Sequence, residues 1–117
     1  MITIVSNNPF VKKHRDDIDY LANQDYLDVL IRVRDLIHQN YHLVTHPLSS
    51  NFLADKTCYK TVVLKPGPTV DLQSIDIIER AIVMVKKSLV SRSDAIYNDS
   101  ILKDLQKVDY EIIKHTL

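Results

Sequence analysis

The 117 residues carry 15 basic and 15 acidic side chains, a formal net charge of zero, and 45% apolar residues. That length suits one domain with an ordinary buried core. The balanced charge argues against a nucleic-acid partner, because such partners select a clustered basic surplus. One cysteine rules out an internal disulfide, and one glycine rules out the Gly-rich phosphate loops, so that a nucleotide would have to bind at a bare helix N-terminus. No stretch approaches the roughly 20 apolar residues of a membrane span. The start, MITIVSNNPF, has neither the basic residues nor the long apolar run of an export signal. A cytoplasmic protein is expected, and the lack of net charge mildly favours a homodimer.

In chain order, Ile2–Val5 reads as a short buried strand that Asn7-Asn8-Pro9 ends. Pro9 suits the first position of a short helix over 11–15, and Ile18–Leu21 reads as a second strand. Asp25 then caps a helix in which Tyr26, Leu27, Leu30, Val33, Leu36 and Ile37 share one side. Within it Asp28 is expected to pair with Arg32, and Asn40 to stop the helix in the left-handed conformation. His42–Thr45 and Tyr59–Lys65 read as strands, joined by a connection longer than ordinary loops. Pro66-Gly67-Pro68 is a turn that divides a strand-and-helix part, 1–65, from a helical part, 70–117. Asp71 opens a long helix to about Val90 with Ile75, Ile78, Ile82, Val85 and Leu89 along one face. A last helix starts at Asn98 or Asp99, with a stripe of Ile101, Leu105, Val108 and Ile112 widened by Leu102 and Ile113.

This order predicts an α/β fold: one small domain over 1–117, with a three- or four-stranded mixed sheet covered by helices and a C-terminal helical pair. Those two helices either pack on each other, seat a second subunit, or simply cover the sheet, and the last is the simplest reading.

Open α/β folds bind ligands in loops at the carboxyl ends of strands. Two such places exist. Asn7 and Asn8 follow the first strand and can orient a ligand through their amides, while His46, Ser49, Ser50 and Asn51 follow the third. Arg34 and Lys60 are the candidate charge partners. His46 is also the candidate acid or base, because an imidazole titrates near neutrality. His38, His42 and His46 are spaced by four, but Asn40 and the β-rich 43–45 break any common helix, so no metal site is expected. Cys58 has no CxxC partner and reads as a small hydrophobe.

Asn7-Asn8-Pro9, the helix from Tyr26 to His38, Thr45-His46-Pro47-Leu48 and Tyr59-Lys60-Thr61-Val62 together resemble the small GrdX family. The likeness covers roughly residues 2–90, and the final helix adds nothing to it. Members of the family are encoded beside the selenium-dependent glycine, sarcosine and betaine reductases of anaerobic, amino-acid-fermenting bacteria. The resemblance therefore implies an accessory role near those enzymes and carries over no catalytic residue. This chain lacks the glycine expected after Leu48 and the proline expected before Tyr59, and it has no selenocysteine- or thioredoxin-like motif of an electron carrier.

The expected function is an accessory protein, without cofactor, that binds a small anionic metabolite or a reductase-complex protein at the loops after the first strand and after Thr45. The alternatives are a small hydrolase or transferase using His46, and an assembly factor acting through the faces of residues 72–90 and 99–113.

Overall fold

The structure is a computed structural model that describes residues 2–48, 58–90 (side chains through 88) and 99–117. Its sheet has four strands: β1 Thr3–Ser6, β2 Asp19–Tyr20, β3 Tyr41–Leu43 and β4 Thr61–Pro66, in the spatial order β2-β1-β4-β3. Helix α1 (Pro9–His14) joins β1 to β2, and α2 (Tyr26–Ile37) joins β2 to β3. Helices α3 (Leu72–Val90) and α4 (Asp99–Ile113) follow β4. β1 runs parallel to β2, while β4 is antiparallel to both of its neighbours, so the sheet is mixed as the element order predicted.

The central register sorts the core. Ile4 faces Val63, Val5 faces Val62 and Ser6 faces Thr61. Because side chains alternate along a strand, Val5, Val62 and Leu64 point to one face and Ile4, Val63, Ser6 and Thr61 to the other. The first face meets Tyr26, Val29, Leu30, Val33, Leu36 and Ile37 of α2 and Ile78, Ala81, Ile82 and Val85 of α3, all buried. Each such aliphatic side chain withdrawn from water contributes about 1.5–3 kcal/mol. The second face is smaller, and Val11 of α1 and Ile113 of α4 close it. Both terminal helices therefore cover the sheet, on opposite sides. They do not pair with each other: α3 lies along α2, and α4 lies on α1 and β4.

Local chemistry explains the helix ends and one departure from expectation. Asp25 accepts from the Asp28 amide at 3.0 Å, and the Asp28 carboxylate accepts from the Asp25 amide at 3.1 Å, a reciprocal cap. Asp28 is thereby occupied, and Arg32 turns instead to Asp19 on β2, with Nε 2.6 Å from Oδ2. The expected Asp28–Arg32 pair is thus replaced by a tie between α2 and the edge strand. Asn40 does take the left-handed conformation (φ 73°) after α2. Its carbonyl accepts from the Gly67 amide at 2.9 Å. The sole glycine leaves room there for a neighbour: a Cβ at Gly67 would meet the imidazole of His42, which would have to move aside. At the head of α3, the Ser74 hydroxyl donates to Asp71 and accepts from the Leu43 amide, which fastens α3 to β3.

In α4 the buried stripe is displaced from the expected one. Ile101 is exposed, Leu105, Val108 and Ile112 are half-buried, and Asp109 and Ile113 are the buried positions.

Candidate functional site

Past the register pair Ser6–Thr61, the second face of the sheet becomes polar, and a connected network forms there. The Ser6 and Thr61 hydroxyls are 2.7 Å apart. Thr61 donates through its hydroxyl to Asp109 Oδ2 at 2.6 Å and through its amide to Oδ1 at 3.2 Å. Asn8 Nδ2 donates to the same Oδ2 and to the Gln106 carbonyl, both at 2.9 Å. The Asn8 amide donates to Ser6 Oγ at 3.0 Å, and Asn8 Oδ1 accepts from the Phe10 amide at 2.9 Å, which caps α1. Burial pushes the Asp109 carboxyl above its ordinary range, while the donors on Thr61 and Asn8 and the charge of Lys60 pull the other way. Chemically this is a latch: a carboxylate on α4 with three donors from β4 and the β1–α1 turn.

A second junction lies one residue earlier. Asn7 Nδ2 donates to the carbonyls of Gln24 (2.8 Å) and Cys58 (2.7 Å), and its Oδ1 accepts from the Lys60 amide (2.9 Å). One side chain thus holds the β1 exit, the loop before α2 and the approach to β4 together. Lys60 is only 1% exposed. Burial depresses its ammonium to about 8, and the Asp109 charge resists the shift. The Tyr26 hydroxyl, also buried, donates to the Pro47 carbonyl at 3.0 Å and so ties α2 to the loop after β3. Its phenol is held protonated well above the usual range, first by burial and then by Asp109.

Against the Asn7 junction, at the carboxyl ends of the parallel strands β1 and β2, lies a cleft of about 180 Å³ lined by Asn7, Pro9, Tyr20, Asn23, Gln24, Cys58 and Tyr59. Asn23 is held there in the left-handed conformation (φ 60°). Burial raises the Tyr59 phenol, while a hydrogen bond from Gln106 Nε2 at 3.0 Å lowers it. The lining is neutral and polar, with amides and phenols to meet a carboxylate and two aromatic rings to meet a compact cation.

The residues expected at the site are distributed as follows. Asn7 lines the cleft, but all three of its hydrogen bonds go to the protein's own backbone. Asn8 points to the opposite side, into the Asp109 network. Lys60 is buried behind the rim rather than displayed on it, and Tyr59 is the member of that pair facing the cleft. His46 is exposed, and its Nδ1 accepts from the Leu48 amide at 3.0 Å, shaping the turn; the residues around the cleft do not include it. Arg34 reaches Glu79 of α3 at 3.9 Å. Ser49, Ser50 and Asn51 lie outside the described residues. Among the described residues no group of three His, Cys, Asp or Glu side chains is placed to hold a metal. No helix among them is long and apolar enough to cross a membrane.

Asp109, Tyr20, Asn23 and Gln24 were not expected. Asp109 carried a signal in the sequence, being an acid four residues after Leu105 and four before Ile113, within the stripe that faces the sheet. Tyr20, Asn23 and Gln24 carried none, since only the crossover through α1 brings β2 beside β1.

No curated protein and no solved structure matches the chain. A family model described as GrdX-like protein matches residues 3–117. The match extends beyond the likeness noted over 2–90 and takes in α4, whose Asp109 closes the network around Asn8 and Thr61. On that match the chain belongs to the GrdX-like protein family.

Proposed function

We propose that this protein is a cytoplasmic accessory factor of glycine, sarcosine or betaine reductase systems that binds a small carboxylate-bearing metabolite. The binding place is the cleft at the ends of β1 and β2. The observation that carries this reading is the cleft's neutral polar lining of Asn23, Gln24, Tyr20 and Tyr59. Its volume of about 180 Å³ is below the roughly 300–1,000 Å³ of drug-sized sites, which restricts the ligand to a compact molecule. The position agrees with the rule that α/β sheets bind ligands beyond the carboxyl ends of parallel strands. The reductase context rests on the family alone.

The test is calorimetric titration with glycine, sarcosine, betaine and acetate, on the wild type and on Asn23→Gly and Gln24→Ala. Asn23→Gly preserves the left-handed backbone while removing the amide. Saturable binding of at least one compound is expected, weakened by about tenfold in either variant, the equivalent of one hydrogen bond. The reading fails if none of the four binds, or if both variants bind as the wild type does.

The assembly reading rests on a separate feature. Val83 and Met84 on the outer side of α3 are 53% and 48% exposed and, with Glu79, Arg80 and Lys87, line a groove of about 370 Å³. Ile82, which lay in the stripe expected to serve assembly, is a core residue. Val83→Glu is therefore the informative change: for a homodimer or a reductase partner seated on this face, it abolishes the complex in gel filtration without altering the melting temperature.

A further inference from the structure

A second cleft lies on the other side of Pro9, between α1 and α4. Pro9, Phe10, Lys13, Lys103, Gln106 and Lys107 line a space of about 320 Å³. Three lysines, one from α1 and two from α4, therefore line one concavity. Lys103 and Lys107 stand one turn apart on the same helix, where like charges repel. Among the described residues none of the three has an ion-pair partner. The acids of α4 are Asp99 and Asp104, exposed about one turn before Lys103 and Lys107 and in no ion pair with them, Glu111, which pairs with Lys114 at 2.5 Å, and Asp109, buried in the network beneath. A chain with no net charge thus gathers around one hollow three lysines that form no ion pair among the described residues.

The walls are held in place. Gln106 is fixed at both ends, its side chain donating to the Tyr59 hydroxyl at 3.0 Å and its carbonyl accepting from Asn8 at 2.9 Å. Phe10 meets Tyr110 edge-on, with ring centroids 5.2 Å apart, and His14 packs against both rings. The Asp109 latch joins α4 to the β1–α1 turn directly below. The cleft therefore has a fixed floor and an aromatic residue in its wall, with three exposed lysines extending from its rim.

We infer that this cleft binds a phosphorylated small molecule, with its phosphate oxygens among Lys13, Lys103 and Lys107 and its organic part against Phe10. The inference is independent of the metabolite cleft on the other side of Pro9, whose lining holds no cationic side chain.

The test uses pyrophosphate as the probe, titrated into the isotope-labelled protein at low salt and followed by amide NMR shifts. Saturable shifts confined to α1 and α4 are expected. The double variant Lys103→Gln/Lys107→Gln weakens the affinity by about tenfold or more, Lys65→Gln on β4 leaves it unchanged, and added salt weakens the wild type more steeply than the double variant. The inference is overturned if shifts are absent at millimolar pyrophosphate, spread over the whole surface, or decline equally in the two variants. Exposed lysines on a helix tolerate glutamine, and retained amide dispersion in the double variant excludes misfolding as the cause. Glycine, sarcosine and betaine titrated into the same double variant separate the two proposals, since their binding is expected to persist there.

Discussion

Asp109 converts a polar blemish on an apolar face into the fastening of a whole helix. Both carboxylate oxygens are in use, and the hydroxyl and amide of Thr61 and the amide of Asn8 all donate to them. Asp109→Asn keeps the volume but sets an NH₂ against one of these donors. Leaving buried donors unmatched costs roughly 1–3 kcal/mol. The expected outcome is a lower urea midpoint with unchanged slope, and an unchanged midpoint would show that the network contributes nothing to stability. An acid four residues from apolar neighbours was visible in the chain. Its three donors were not, because they come from segments about fifty and a hundred residues away, at Thr61 and Asn8.

At the scale of elements, α2 is the part whose local signals and tertiary role agree most closely. Its cap, its apolar face and its left-handed stop at Asn40 all appear where the residues placed them. Local hydrogen bonds and helical period need no distant partner, which is why they could be read directly. Asp25→Ala removes the cap and is expected to lower stability by about 1 kcal/mol in thermal or urea denaturation. If α2 were held by packing alone, that change would have no measurable effect. The Arg32 partner illustrates the opposite case. Spacing along the chain pointed to Asp28 alone, whereas the reciprocal cap occupies Asp28 and the pairing of β2 with β1 brings Asp19, thirteen residues away, within reach of Arg32. β2 and β3 are shorter than the apolar runs that announced them, two and three residues respectively. Strand length is set by what lies alongside, and only β1 and β4 have neighbours on both edges.

For the molecule as a whole, the buried Lys60 makes stability depend on pH in a definite direction. In the unfolded chain its ammonium titrates near the usual 10.5, but in the folded protein burial lowers that to about 8. Between these values unfolding takes up a proton, so stability rises with pH through the window, by up to about 3 kcal/mol if the full shift is realised. Above about 10 the trend is opposed by Tyr26 and Tyr59, whose phenols ionise more readily once unfolded. Melting temperatures measured from pH 7.5 to 10 are expected to climb in the wild type and to stay level in Lys60→Met. A level wild-type profile would mean that the ammonium is not desolvated.

Composition, helical period and capping residues determined by themselves that this is an α/β chain with a mixed sheet, where each helix begins, and that the exits of the first and third strands are polar loops. Those properties arise from interactions among near neighbours in the chain. Tertiary structure alone decided that Asn7 and Asn8 serve opposite sides of the sheet, and that Lys60 rather than Tyr59 is the inward residue of its pair. It also decided that the cleft is walled by β2 and the approach to β4 rather than by the turn at His46. The reason is that alternation along a strand says which residues share a face, whereas only the pairing of β1 with β2 and β4 says which face is which, and what stands opposite it.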